Sequence, residues 1–519
     1  MSTLKVTRRE MLAAMAAAGL STGFYPKAAL SEDRKVLRVR AYADIQSLDP
    51  AYRKAAPDDD VMRNIFPGLA TMTPGDEWKW QPDTVSRLEQ VDPTHIEFTL
   101  MDGLTWSDGY GPVTAEDVKY SFERMISPEV DSPYKGDWEA LDHVEVKDEK
   151  SGVIVLKGPF PPLWNVGLVF GSGRIISKKA VEAAGGKFDT KPPAQCGRYL
   201  LKEWLPKQRV VLVRNPDWPG EPGAFEEIHV VPIEDEKTAE LGLEAGDLDY
   251  TWVSVSSIPR YTENPPRNAS IVVKPSLAYV WLGMNQQAAP FDKLEVRRAV
   301  QHAIDVPAVL EAAYFGAAAP ATGLIAPGLI GHREKTLFSY DPDKARDFLK
   351  QAGMEAGFEC TIDVLNKAER ISAAQAIQAN LAEIGIDVEI RPHDSGTFWS
   401  LGDEKSGDSW KTLQLIISRF SMQPDPSFAT DWFTPEQIGV WNWERWNSPE
   451  YGELNSKAKL ETDPAKRHEM YVRMQDLMEE SGSYVFLTHE AVGVGQSNTI
   501  TPALMPNGNP IFYEFKPAA

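Results

Sequence analysis

Phe98-Thr99-Leu100-Met101-Asp102-Gly103-Leu104-Thr105-Trp106-Ser107-Asp108-Gly109 is followed, after Tyr110, Gly111 and Pro112, by Val113-Thr114-Ala115-Glu116-Asp117-Val118-Lys119-Tyr120-Ser121-Phe122-Glu123-Arg124. The spacing predicts a strand over 96–100, then a turn, then a helix. Thr114 can cap that helix, Asp117 completes a capping box, and Val118, Phe122 and Met125 form its apolar stripe. The same alternation continues outward. Strands are expected at 36–42, 153–156, 209–213, 228–231, 280–284, 360–365, 387–390, 413–417 and 485–488. Leu294, Ala299, Val300, Ala303 and Ile304 fit one helix face. Asp305 and Pro307 restart a helix that ends at Gly316. Asp341-Pro342 opens another, stopped by Gly353, and 373–384 forms a further one. Asp463-Pro464 begins the last long helix, striped by Met470, Met474, Leu477 and Met478; such a stripe is more often core than a cofactor box. Strands alternating with helices over 519 residues read as α/β, in two or three domains.

Composition removes several classes. With 25% charged and 42% hydrophobic residues, the chain is globular and not collagenous, coiled-coil or disordered. Its 54 Lys+Arg against 75 Asp+Glu, a formal charge of -21, disfavours nucleic acid, which needs clustered basic residues. Two cysteines exclude a disulfide scaffold and any multi-cysteine metal site. Lys5, Arg8 and Arg9 precede an Ala-rich apolar run over 13–20, the pattern of a bacterial twin-arginine signal peptide. Ala29-Leu30-Ser31 places cleavage near Ser31, with no cysteine there for a lipid anchor. The competing reading is an amphipathic N-terminal helix. Gly19-Leu20-Ser21-Thr22-Gly23 spells a nucleophile elbow inside that segment, with no strand before it, and is set aside. No later stretch approaches 18 consecutive apolar residues, so a soluble mature protein is expected.

A search for chemistry is negative. There is no phosphate loop and no zinc helix; His489-Glu490 lacks a second histidine one turn on. Gly493-Val494-Gly495 begins a dinucleotide fingerprint, but Asn498 replaces its third glycine. His95, His143, His229, His302, His332, His393, His468 and His489 are scattered without ligand spacing. No catalytic group, cofactor or metal is therefore expected. Tryptophan stands out: Trp410, Trp432, Trp441, Trp443 and Trp446 fall within one short stretch. Trp441 and Trp443 would share a face, with Trp446 a bulge or turn away. Aromatic planes beside Arg445 suit a small polar ligand buried by stacking; the bland reading is a Trp-rich core patch.

Several segments then occur together in one order. After the opening stretch come Gly197-Arg198-Tyr199-Leu200-Leu201, Val213-Arg214-Asn215-Pro216-Asp217-Trp218 and Leu243-Glu244-Ala245-Gly246-Asp247-Leu248-Asp249-Tyr250. Leu282-Gly283-Met284-Asn285, Val296-Arg297-Arg298-Ala299-Val300-Gln301-His302-Ala303-Ile304-Asp305 and Tyr340-Asp341-Pro342-Asp343-Lys344-Ala345 follow. Gln378-Ala379-Asn380-Leu381-Ala382-Glu383-Ile384-Gly385-Ile386 and Asn447-Ser448-Pro449-Glu450-Tyr451 complete the series. Over nearly all of the mature chain this resembles the extracytoplasmic solute-binding proteins of ABC importers, in the peptide/opine/nickel class (solute-binding protein family 5).

The resemblance implies a two-lobed periplasmic binding protein, the Venus-flytrap fold, with an extra subdomain in the first lobe. Lobe I would be 34–276 plus 488–519, with 75–194 as the subdomain, and lobe II 277–487. It implies capture of a small peptide-like or opine-like solute between the lobes of a periplasmic monomer. Delivery to an inner-membrane ABC permease would follow, with no chemical step. Ligand favours the closed state by its differential affinity. By the same resemblance, Tyr42, Asp44 and Ser47 form the first lobe's rim, and Trp281 and Asn285 lie on the strand entering the second. Arg419, Ser421 and Met422 end a strand opening on the cleft; Trp441, Trp443 and Arg445 add the aromatic side.

One departure bears on the ligand. Peptide binders of this family often carry a Trp, then an Asp three residues on that pairs with the peptide ammonium, ahead of a P-D-P-like loop. Here Arg419 and Met422 stand at those positions before Pro424-Asp425-Pro426. A guanidinium favours a carboxylate or phosphate, which points away from ordinary free-amine peptides. Alternatively Asp425 or Glu444 takes the ammonium. Lys367 and Arg370, where some peptide binders hold the ligand carboxylate, read as solvated charges. Gln195-Cys196-Gly197 departs from the family pattern as a turn. Cys196 and Cys360 would fall in different lobes, so two buried free thiols are expected. Other ligands in play are glycan-derived oligosaccharides and ordinary di- or oligopeptides. Other functions in play are an extracytoplasmic hydrolase and a sensor or chaperone-like protein.

Overall fold

The computed structural model describes residues 35–518; the signal-peptide reading of 1–31 lies outside the described residues. Ten strands form one sheet: β1 Val36–Ala41, β2 Tyr199–Leu205, β3 Arg209–Arg214, β4 Glu227–Pro232, β5 Tyr250–Val253, β6 Ala269–Met284, β7 Phe358–Leu365, β8 Ile386–His393, β9 Leu415–Ser421 and β10 Tyr484–Ser497. Their order is β2-β3-β4-β1-β5-β10-β6-β9-β7-β8. Parallel pairs lie toward both ends: β1 with β4 and β5, and β7 with β8 and β9. The antiparallel pair β6 and β10 joins the two halves.

These two joining strands are longer than their apolar runs. β6 has 16 residues and β10 has 14, because both continue beyond one core into the next. The first half of β6 is only partly buried on either face, so it shows no apolar alternation to read. The ladder between them skips from Pro275↔Ala491 to Tyr279↔His489, leaving residues 276–278 opposite Glu490 alone. Pro275 has no N–H to lend to the ladder. This irregular crossing lies where the resemblance places the lobe boundaries.

Buried apolar residues gather on either side of the crossing. One cluster draws on residues between Leu37 and Tyr250 and between Val494 and Phe515. Two more draw on residues between Leu277 and Ala491. Trp78 packs against the first and the third of these. Beside the large sheet stands an antiparallel four-stranded sheet in the order Val85–Asp92, His95–Leu100, Ser151–Leu156, Leu141–Val146.

The opening stretch packs here as one unit. Helix α1, Ala115–Ile126, has the expected capping box between Thr114 and Asp117. Asp117 Oδ2 accepts from the Thr114 backbone N–H at 2.9 Å and from the Trp106 indole at 3.2 Å. Its Oδ1 accepts from the Lys178 N–H at 2.9 Å. One buried carboxylate thus pins turn, helix and a following helix together, satisfying donors that burial would otherwise strand. Along the same logic, Asp305, Asp341 and Asp463 cap α2 Val306–Tyr314, α3 Pro342–Gln351 and α5 Pro464–Glu480. Between the last two, α4 spans Ala368–Ala382. Cys196 and Cys360 are buried and unbonded, in the first and second clusters, and burial pushes both thiols up to about 12.

Candidate ligand-binding cleft

β9 decides where the core ends. Leu415 through Ser418 are buried, whereas Arg419 and Ser421 are exposed and Phe420 is half-buried. Arg419 pairs with Val280 in the β6 register and Ser421 with Ala278, so the strand leaves the core beside the irregular crossing. There the Arg419 Nε donates to Glu490 Oε2 at 3.0 Å. Glu490 also accepts from Arg370, which donates to the Tyr314 hydroxyl as well. The Tyr314 hydroxyl donates to Glu490 Oε1 at 3.3 Å. Burial pushes the Glu490 carboxyl up, but Arg370 and Arg419 outweigh it and hold the group below its usual range.

This cluster forms part of the wall of a cavity of about 470 Å³. Trp252, which packs on the first cluster, lines it together with Ser254, Ser256, Phe315, Arg419 and Glu490. A larger groove, about 660 Å³, runs over the first body around Tyr52, Lys119 and Arg124. Most of its charges are paired: Arg124 with Asp49 at 2.6 Å, Lys119 with Glu123 at 2.7 Å and Lys178 with Glu116 at 3.6 Å. The cavity at the crossing, unlike this groove, lies where the resemblance places the cleft between lobes.

On the face of β9 opposite Arg419, starting at Phe420, half-buried aromatic rings form a wall. Phe420 lies 5.7 Å from Trp441, 6.2 Å from Trp432 and 6.1 Å from Trp399, ring centre to ring centre. Trp441 and Trp443 are near parallel, 17° apart at 6.4 Å, so they do share a side, although on turns and not on a strand. Their exposure differs. Trp441 is half-buried. Trp443 is 3% exposed, donates to the Val440 carbonyl at 2.8 Å and presses on Gly402, where a Cβ would lie 2.1 Å from its ring. Trp446 packs in the third cluster. The aromatic group is thus half partly exposed wall and half core. Trp399 and Phe420, which alternation did not single out, complete the wall; the sequence carried no signal for them because they come from a separate short helix and from β9.

Other expected site residues divide the same way. Tyr42 is 52% exposed. Asp44 instead accepts from the Trp204 indole at 3.1 Å and the Lys207 N–H at 2.7 Å, bracing its loop on the β2–β3 hairpin. Ser47 is buried and accepts from the Asp49 N–H at 3.4 Å. Asn285 donates to the carbonyls of Trp410 and Leu413 at 3.0 and 2.9 Å and accepts from the Gln287 N–H at 2.9 Å. That leaves its side chain clamping a loop. Met422 turns into the third cluster and does not follow Arg419 and Ser421 to the cleft. Arg445 is buried: its guanidinium stacks 3.9 Å over Trp410, pairs with Glu404, and donates to Gln287 Oε1 at 2.7 Å. It sits at φ 54°, a left-handed backbone that these contacts hold in place.

The two substitute carboxylates are both engaged. Asp425 is fully buried and paired with Arg467 at 2.9 Å; Asn165, from the other side of the cleft, reaches it at 3.5 Å. Glu444 is buried against Trp281, whose indole donates to its Oε1 at 2.7 Å. Neither is open to a ligand ammonium. The reading of Arg370 as a solvated charge needs correction. It is 4% exposed on α4, and only Lys367, just ahead of that helix, faces water. Among the described residues no group of three His, Cys, Asp or Glu could hold a metal ion, and no helix is long and apolar enough to cross a membrane.

Comparison with known proteins gives a consistent picture. The sequence model of the bacterial extracellular solute-binding proteins, family 5 Middle, matches residues 67–439. The periplasmic oligopeptide-binding protein OppA of Salmonella typhimurium is 25% identical, covering 92% of this chain and 93% of its own. The glutathione-binding protein GsiB of Shigella boydii is 24% identical over 94% of this chain and 95% of its own. The solved ABC transporter substrate-binding protein CtaP of Listeria monocytogenes superposes with a TM-score of 0.82 at 18% identity. It covers 94% of this chain and 100% of its own.

Proposed function

The chain belongs to the bacterial extracellular solute-binding proteins of family 5, a two-lobed α/β fold, and on that premise we propose which solute it captures and how. It is the substrate-binding component of an ABC transporter. It closes on a small peptide-like or opine-like solute and hands it to an inner-membrane permease. The solute leaves chemically unchanged, and the protein acts as a periplasmic monomer exported by a twin-arginine signal. The lobes are 34–276 plus 488–519, with 75–194 as subdomain, and 277–487, hinged where β6 and β10 cross.

The observation that carries this reading is Arg419, 45% exposed at its side chain in the wall of the cavity, with the half-buried rings of Phe420, Trp432 and Trp441 on the other face of the same strand. Rings offer stacking area, and a guanidinium offers paired donors to an acid group. Oligopeptides and glutathione are what the names of OppA and GsiB assign to those relatives. In this chain Met422 is buried and Asp425 and Glu444 are engaged inside the protein, so none of these three positions offers a carboxylate to a ligand ammonium. A glycan-derived oligosaccharide is the second reading, favoured by the aromatic wall alone.

Native mass spectrometry of freshly purified protein tests the proposal by the mass of the co-purified solute, and small-angle scattering tests closure. A bound solute recovered unchanged after long incubation, with compaction on its return to stripped protein, is expected. Steady product formation without compaction would instead indicate a hydrolase.

A further inference from the structure

Arg370 makes no approach to the cavity space, yet it decides the charge that the cavity presents. Its guanidinium is buried and satisfies Glu490, the same carboxylate that holds Arg419. Two guanidinium groups therefore share one carboxylate, and the third partner, Tyr314, is neutral. Without Arg370, Glu490 and Arg419 would cancel. With it, one positive charge is left over, and it resides on the exposed member, Arg419. The Arg419 Nη1 and Nη2 atoms make no hydrogen bond to the described residues, since only Nε is engaged. A two-pronged donor edge with a surplus charge is what a carboxylate or phosphate recognises. Glu236 and Glu369 also line the cavity, and Glu369 acts on Arg370; both stay in place in every variant compared below, so they shift all the ratios together and leave their order unchanged.

We infer that Arg370 is a specificity-determining positioning residue. By neutralising Glu490 from behind, it frees Arg419 to select solutes that bring an anionic group to this end of the cleft. The inference rests on the solute-binding reading above and deepens it. It is a statement about charge count, so it makes an ordered prediction that packing alone would not.

The probe is an equimolar pool of N-acetyl dipeptides as free acids against the same pool as C-terminal amides, competed for stripped protein and read by native mass spectrometry. The acid-over-amide ratio is the readout, with thermal unfolding as a folding control. Wild type should favour acids by roughly ten-fold, the effect of about one unit charge near a protein surface. Arg370→Gln leaves a net-neutral cluster and should bring the ratio close to unity. Glu490→Gln leaves two positive charges and should raise it above wild type. The double variant Arg370→Gln/Glu490→Gln returns to one surplus charge and should recover the wild-type preference. A merely structural Arg370 would make the double variant as poor as the single, or worse, and that result overturns the inference. So does a wild type that takes acids and amides equally, or neither. If neither pool binds but another solute compacts the protein, the importer reading survives while the charge-selection inference does not.

Discussion

The Trp281 indole donates to Glu444 Oε1 at 2.7 Å inside a pocket that also holds the Tyr279 and Tyr484 hydroxyls. Glu444 Oε2 makes no hydrogen bond of good geometry, and the Tyr484 hydroxyl lies near enough to the carboxyl to offset part of its burial. Gly283 makes room for this carboxyl: a Cβ there would fall 2.0 Å from Glu444 Oε1. Burial raises the Glu444 carboxyl to about 7, because the charged form would lie in an apolar site without a cation.

That shift fixes the pH dependence of stability. The folded-state value lies above the unfolded one, so the folded protein holds this proton more tightly. Its contribution is complete below the unfolded value of 4.5 and is lost as pH rises toward about 7. Glu444→Gln, which keeps an acceptor for Trp281, should change little at pH 5. At pH 8 it should stabilise by roughly 2–3 kcal/mol. Denaturant midpoints at the two pH values check this; an equal shift at both would mean that ionisation plays no part.

Asp425 and Arg467 form the opposite case, a buried carboxylate already neutralised. Arg467→Met should cost about 3–5 kcal/mol because it strands a buried charge, and adding Asp425→Asn should recover part of the loss. Chemical denaturation of the single and double variants measures both terms. Full additivity would contradict the pairing.

The two near-parallel indoles should separate in experiment. Trp443→Ala empties a filled core site and should lower stability by about 3–5 kcal/mol. Trp441→Ala should leave the unfolding temperature almost unchanged and weaken binding of the co-purified solute by about ten-fold, as loss of one stacking surface does. Calorimetry and thermal unfolding on each variant decide, and reversed outcomes would move the ligand wall elsewhere.

Cys196 and Cys360 should be silent toward a thiol reagent in the folded protein, since both are buried and their thiols are pushed up to about 12. Both should react once the chain is unfolded without reductant. One or no reactive thiol under those conditions would contradict the unbonded state.

An aspartate at position 422, where the resemblance leads one to expect it, should create no ammonium site. Met422 is 4% exposed within the third cluster, so Met422→Asp buries an unpaired carboxylate and should destabilise by several kcal/mol. It should bring no gain in affinity for free-amine dipeptides, as calorimetry can show.

Much of the architecture is legible in the sequence. The Thr114–Asp117 box, the Asp-Pro helix starts at Asp341 and Asp463, and the apolar runs of β1, β7 and β8 are local signals, set by capping chemistry and periodicity. Local signals cannot report what two distant segments do to each other. Arg370 and Glu490 are 120 positions apart, and nothing near Arg370 in the chain says that its charge is buried and answered. Trp441 and Trp443 look equivalent in sequence, and only the closeness of Gly402 makes one of them core. Asn285, Asp44 and Arg445 have the chemistry of ligand contacts, yet long-range packing commits them to backbone carbonyls, indoles and carboxylates of the protein itself. Residue order thus determined the elements, their caps and the family, because each is written in short-range spacing. Which polar groups remain free for a solute was settled by tertiary structure alone, because burial and pairing are properties of neighbours that the chain brings together only when folded.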